Sequence, residues 1–353
     1  MLCSAGVSAT PPLRPTAFKA PEGVYSVAIS GDIQLHDRKR NRDLSVKVYA
    51  PDAPGRYPVI VFSHGAGGSK ESFGPLARYW ASHGFVSIHP SHPDALAGSR
   101  SGTGGTPQRG HALAGLVARV EDSPTAGVNR ARDLSSVIDG LAQVETAVPA
   151  LKGKLDRKRI GVGGHSLGAA AAMLIGGATV DLSPSEKDRT FLDPRVRAIL
   201  SVSAPGAGKL GLTERSWRKL FLPMLTVTGS RDPGEGGQGS EWKRQPFSLS
   251  RGGEKYHLSL EGATHHSFGG ELAGGGLAAG GLGPGLRARL SGGRRVGFGG
   301  RQLGDESGIF EAMKAATLAF WTAYLKDDVK AKAYLGSNRL SADTRGKASL
   351  THR

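Results

Sequence analysis

Ser166, Asp232 and His265 are the residues whose types and spacing could do chemistry together. A serine hydroxyl is a weak nucleophile at neutral pH, so it needs a base in hydrogen-bond reach, and that base needs an anion to hold its tautomer and stabilise its charged form. The serine lies in Gly164-His165-Ser166-Leu167-Gly168, the aspartate in Gly229-Ser230-Arg231-Asp232 and the histidine in Ala263-Thr264-His265-His266. Such a set would perform acyl transfer through a tetrahedral intermediate and an acyl-enzyme. With 53 glycines among 353 residues, a Gly-x-Ser-x-Gly match arises by chance on the order of once per chain, so the flanking residues must decide.

The flanks read as a strand entering a sharp turn and a helix leaving it. Arg159 to Gly163 is a short apolar run behind the charged turn Asp156-Arg157-Lys158, the pattern of a buried parallel strand. Leu167 to Ile175 is small and helix-favouring, so a helix is expected immediately behind the serine. Asp232 follows the predicted strand Met224 to Gly229, although an aspartate before a proline is also a common turn former. His265 follows the strand that ends at Leu260 and is the preferred base; His266 stands beside it as the alternative. Two backbone amides should complete an oxyanion hole, that of Leu167 behind the serine and that of Ala66 in the loop after Tyr57 to Ser63, with His64 a structural neighbour. Phe73, Pro205 and Phe268 adjoin these segments and are candidates for the lining of an acyl pocket.

The elements that must position these groups alternate along the chain. Strands are expected at Val24 to Ile29, Leu44 to Tyr49, Tyr57 to Ser63, Phe85 to His89, Arg159 to Gly163, Val196 to Val202, Met224 to Gly229 and Tyr256 to Leu260. Helices are expected over Ser72 to Ser82, Arg130 to Val144 and Glu306 to Lys326, the last with Ile309, Met313, Ala316, Phe320 and Tyr324 on one stripe. This order predicts an α/β fold with a mostly parallel central sheet and helices on both faces, as one domain over residues 23–335. Residues 1–22 and 336–353 read as disordered ends. The glycine- and arginine-rich tract at 269–304 reads as a flexible insert, with a lid over the site as the sharper alternative.

Composition excludes several other chemistries. The single cysteine, Cys3, leaves no intramolecular disulfide and no thiolate cluster, no H-E-x-x-H pair is present, and Gly161-Val162-Gly163-Gly164 runs into the serine turn rather than a dinucleotide fingerprint; no cofactor or metal is implied. The formal charge of +16 is scattered without aromatic interleaving, so a specific nucleic-acid partner is not expected. No apolar run reaches membrane-spanning length. Met1 to Ala9 lacks a basic leader, which reads as cytoplasmic if translation starts there and as exported if it starts upstream.

In chain order, Pro58 to Ser69, Ala81-Ser82-His83-Gly84-Phe85, Gly164 to Gly168, Gly229 to Asp232 and Ala263 to Phe268 resemble the α/β-hydrolase superfamily, and within it a bacterial branch of dienelactone-hydrolase-like and platelet-activating-factor-acetylhydrolase-like proteins; Ala319 to Lys326 is similar to that branch's final helix. The resemblance covers residues 57–335 and implies the Ser-Asp-His chain order, an α/β-hydrolase fold and a serine carboxylic-ester hydrolase acting on small or short-chain esters. Three departures bear on substrate. Dienelactone hydrolases carry a cysteine nucleophile where this chain has Ser166; mammalian-type acetylhydrolases place the acid after the earlier strand, where this chain has Ser201 and Ser203; and related polyester hydrolases follow Ala-Pro with tryptophan, where Ala204-Pro205 precedes Gly206. Acyl transfer to an alcohol, a non-catalytic binding protein on the same fold, and docking of the Gly/Arg tract on an anionic polymer are the competing readings.

Overall fold

The computed structural model describes residues 18–93, 123–234, 236–270 and 303–353. The expected connection at 95–121, residues 1–17 and the glycine-rich tract beyond Gly270 lie outside the described residues.

The chain opens with an antiparallel pair, β1 (Val27–Asp37) and β2 (Arg42–Pro51), closed by a turn at Asn41. β2 buries Leu44, Val46 and Val48 in alternation, the period of a strand with one face on the core. β3 (Tyr57–Ser63) is buried at every position, as its unbroken apolar middle requires of a strand covered on both faces. Then follow α1 (Gly74–Ser82), β4 (Val86–Ser91), α2 (Pro124–Asp139) and α3 (Leu141–Ala147). The expected single helix over Arg130 to Val144 thus starts earlier and is interrupted at Gly140.

β5 (Leu155–His165) leads into α4 (Leu167–Ile175), and a short ribbon, β6 (Thr179–Val180) with β7 (Arg189–Thr190), precedes β8 (Val196–Val202) and β9 (Met224–Gly229). α5 (Ser240–Leu249), β10 (Lys255–Leu260), α6 (Leu303–Leu325), α7 (Val329–Leu335), α8 (Arg339–Asp343) and β11 (Ala348–His352) complete the described elements.

The main sheet runs β1-β2-β4-β3-β5-β8-β9-β10-β11, nine strands that are parallel from β4 through β10 and antiparallel at both flanks. One face packs on α2 and α4 through Val128, Leu134 and the wholly buried Ala169 to Ile175. The other packs on α1 and α6, where Trp80 meets Trp321 edge-on at 6.0 Å and donates its indole N–H to Thr317 Oγ1 at 3.0 Å. Ile309, Met313, Ala316 and Phe320 are buried on α6, the stripe that its periodicity predicts.

Two expectations about the ends are corrected. Residues 336–353 are ordered: β11 pairs antiparallel with β10, and Leu340 on α8 and Ala348 at the start of β11 are buried. At the other end, residues 18–22 pack on the body, with the Ala20 amide donating to Glu311 Oε2 at 2.7 Å and Tyr79 Oη donating to the Pro21 carbonyl at 2.9 Å.

Candidate active site

Three loops at the carboxyl ends of parallel strands bring the chemistry together, where open α/β sheets place their ligands. β5 ends at His165 and α4 begins at Leu167, so Ser166 makes the turn alone, with φ 55° and ψ −120°. That backbone is strained for a residue with a Cβ. The Ser166 amide donates to the Val202 carbonyl at 2.9 Å, which ties the turn to β8. Only glycine fits on either side: a Cβ on Gly168 would lie 2.2 Å from the Ser63 carbonyl oxygen, and one on Gly164 would lie 2.3 Å from the Gly168 carbonyl carbon. Gly168→Ala is therefore expected to lower stability by about 2–3 kcal/mol in urea unfolding, with the elbow displaced and activity lost, because the clash is with backbone that cannot rotate away.

The aspartate and histidine loops are zipped to each other. Ser230 N–H donates to the Leu260 carbonyl and Arg231 N–H to the Ala263 carbonyl, each at 3.0 Å. As a result His265 Nδ1 lies 3.0 Å from Asp232 Oδ1. His266 only packs edge-on against His265, with ring centres 5.3 Å apart, so the geometry selects His265 as the partner of the acid. His165, the variable residue of the serine turn, donates from Nε2 to the His265 carbonyl at 2.8 Å and thereby couples elbow and histidine loop directly.

Two residues to which the sequence reading gave no role in the site complete this cluster. Ser203, with φ 51° just past β8, donates to Asp232 Oδ2 at 2.5 Å and lies 2.8 Å from His265 Nδ1. Lys243 on α5 donates to Asp232 Oδ1 and to Ser203 Oγ, the latter at 2.8 Å. Asp232 is fully buried and Lys243 is 5 % exposed. In sequence Lys243 lies on a polar helix between Trp242 and Arg244, where a lysine looks like a solvated position.

Burial alone would favour the neutral form of Asp232, but the hydrogen bonds from His265 and Lys243, the Lys243 charge and the Ser203 hydroxyl prevail and hold the carboxyl down at about 2. A carboxylate depressed in the folded state stabilises it above the unfolded value and loses that contribution as pH falls through the folded one. The melting temperature should thus fall as pH drops from about 4 to about 2, with a shallower slope in Asp232→Asn, as scanning calorimetry would show. Burial pushes His165 well below the usual imidazole range, and burial also lowers His266, so both are neutral neighbours.

Ser166, Asp232 and His265 share a cavity of about 330 Å³ with Leu167, Pro205, Leu210 and Trp242. Pro205 is part of that lining. Phe73 and Phe268 are not among its lining residues: both are buried core residues, with ring centres 5.3 Å and 6.2 Å from His165. Trp242 supplies the aromatic wall instead, anchored by its indole N–H to the Ala207 carbonyl at 2.9 Å. Leu167 opens α4 and Ala66 sits in the loop beside the serine, where a Cβ on Gly65 would approach Ser166 Cβ at 3.6 Å. Among the described residues neither the Ala66 nor the Leu167 amide is consumed by a turn or helix hydrogen bond.

A second Ser-His-Asp chain runs beneath that loop. Ser63 Oγ lies 2.8 Å from His92 Nε2, and His92 Nδ1 lies 2.9 Å from Asp133 Oδ2. All three are buried, and Ser63 stands in the regular strand β3, outside the cavity, so no carbonyl carbon can reach its hydroxyl. Arg130 donates to the His64 and Gly65 carbonyls, so this network braces the Ala66 loop.

This sheet order, with Ser166 in the turn after β5, Asp232 after β9 and His265 after β10, is that of the α/β-hydrolase fold, and the similarities to known proteins support a place in the α/β-hydrolase superfamily. More particularly, the family model described as Chlorophyllase matches residues 16–99, which carry β1 to β4 and the Ala66 loop. Cutinase est2 of Thermobifida alba is 25% identical over 220 residues, covering 62% of this chain and 56% of that protein. The chain thus spans little more than half the length of that relative.

Proposed function

We propose that this chain is a serine carboxylic-ester hydrolase acting on short-chain esters through an acyl-enzyme. The observation that carries the proposal is the strained Ser166 turn opening into the same cavity as His265, whose Nδ1 is tied to a buried carboxylate. Ser166 Oγ attacks the ester carbonyl carbon while His265 Nε2 takes its proton. Asp232 orients the imidazole and stabilises the imidazolium, and the Ala66 and Leu167 amides receive the developing oxyanion. The intermediate collapses as His265 returns the proton to the departing alcohol. Water, deprotonated by His265, then attacks the acyl-enzyme and releases the acid. The cutinase and chlorophyllase similarities support this reaction class, and the serine nucleophile favours the acetylhydrolase-like side of the bacterial branch over the cysteine-dependent dienelactone side.

The cavity of about 330 Å³ is at the small end of ligand sites, which points to short acyl groups. A p-nitrophenyl ester series should show kcat/KM highest at acetate or butyrate and at least about tenfold lower at decanoate. A folded protein that turns over none of the series would contradict the proposal, and product carrying an added alcohol in place of water would redirect it to acyl transfer.

A further inference from the structure

Lys243 is a buried ammonium beside the Asp232–His265 pair. It is 5 % exposed, donates to Asp232 Oδ1 and Ser203 Oγ, and lies 3.1 Å from His265 Nδ1. Resting on the ester-hydrolase reading above, we infer that Lys243 is a positioning residue that fixes the tautomer of His265 and lowers its affinity for a proton.

The tautomer follows from donor and acceptor accounting. Nδ1 of His265 faces three groups: the Asp232 carboxylate, the Ser203 hydroxyl and the Lys243 ammonium. A hydroxyl has one proton, and an ammonium has only donors. If Ser203 and Lys243 both donated to Nδ1, the ring proton would sit on Nε2, where it would block acceptance from Ser166. With Lys243 donating into the Ser203 oxygen, the Ser203 proton turns to Asp232 Oδ2, the 2.5 Å contact. Nδ1 is then left as the N–H donor to Asp232 Oδ1, and the Nε2 lone pair is free for the nucleophile.

The proton affinity follows from charge. Asp232 favours the imidazolium, whereas Lys243, at the same carboxylate oxygen, opposes it. Among the described residues the other titratable groups at the ring are His165, from the end of β5 with ring centres 4.5 Å apart, and His266 on its own loop, both lowered by burial, and Lys209 is in the cavity lining. Lys243, at 3.1 Å from Nδ1, is the cation in contact with the base among the described residues. Its charge opposes protonation of the ring, against the Asp232 charge that favours it.

The test is a ¹⁵N-histidine titration of His265 with the matching pH dependence of kcat/KM, in wild type, Lys243→Met, Lys243→Gln and Lys243→Arg. In wild type the neutral ring should carry its proton on Nδ1. In the Met or Gln variant the imidazolium should persist about one pH unit higher and the acid limb of kcat/KM should move up with it, while Arg retains the wild-type position. A folded neutral variant that titrates where wild type does would overturn the inference, as would a wild-type ring protonated on Nε2. The ring titration needs no turnover, so a wild type inert toward esters but showing the expected shift would support the charge effect and remove only the ester-hydrolase reading.

Discussion

Ser166→Ala is expected to lower kcat/KM on a short p-nitrophenyl ester by about 10⁴-fold or more while leaving stability nearly unchanged. The size reflects loss of covalent catalysis, with the residual rate supplied by the oxyanion donors and binding. Stability should move by less than about 0.5 kcal/mol, because Ser166 Oγ makes no hydrogen bond among the described residues and alanine keeps the same backbone demand at φ 55°. A urea unfolding curve superimposed on wild type, beside abolished turnover, separates this site from a structural serine. A variant that retained wild-type turnover would remove Ser166 from the mechanism.

Asp232→Asn should damage both properties. Without the carboxylate the imidazole loses the group that orients it and stabilises its charged form, and turnover should fall by about 10³–10⁴-fold. The same change leaves the Lys243 ammonium buried without its counter-ion, which costs about 3–5 kcal/mol when one partner of a buried pair is removed. Asp232→Asn/Lys243→Met should recover most of that stability and none of the rate. Recovery of rate as well would mean that the carboxylate serves the fold and not the base.

The parts of this arrangement that follow local rules were legible in the chain. β3 and β5 read as buried strands from their apolar runs, the serine turn from its flanking glycines, and the Ser-Asp-His order from three residues each placed just after a strand. The final eighteen residues were misread for a physical reason: in a polar stretch only Leu340 and Ala348 are buried, and β11 is stabilised by backbone pairing to β10 more than by its own side chains. Ser203 and Lys243 were invisible for another. Ser203 reaches the site through positive φ past a strand end, and Lys243 through the docking of a helix against Asp232, neither of which leaves a periodic trace. Phe73 and Phe268 show the converse, since adjacency in sequence to a site residue says nothing of which way a ring turns.

Among the described residues three serines stand within a Ser-His-Asp hydrogen-bond set or beside one: Ser63 with His92, Ser203 with His265, and Ser166 at the cavity turn. Labelling the wild type with a fluorophosphonate, followed by peptide mass mapping, asks which of them is nucleophilic. The account predicts stoichiometric modification at Ser166 alone, abolished by Ser166→Ala and strongly slowed by His265→Ala. Modification at Ser63 or Ser203 with Ser166 untouched, or a folded protein that takes no label, would contradict it.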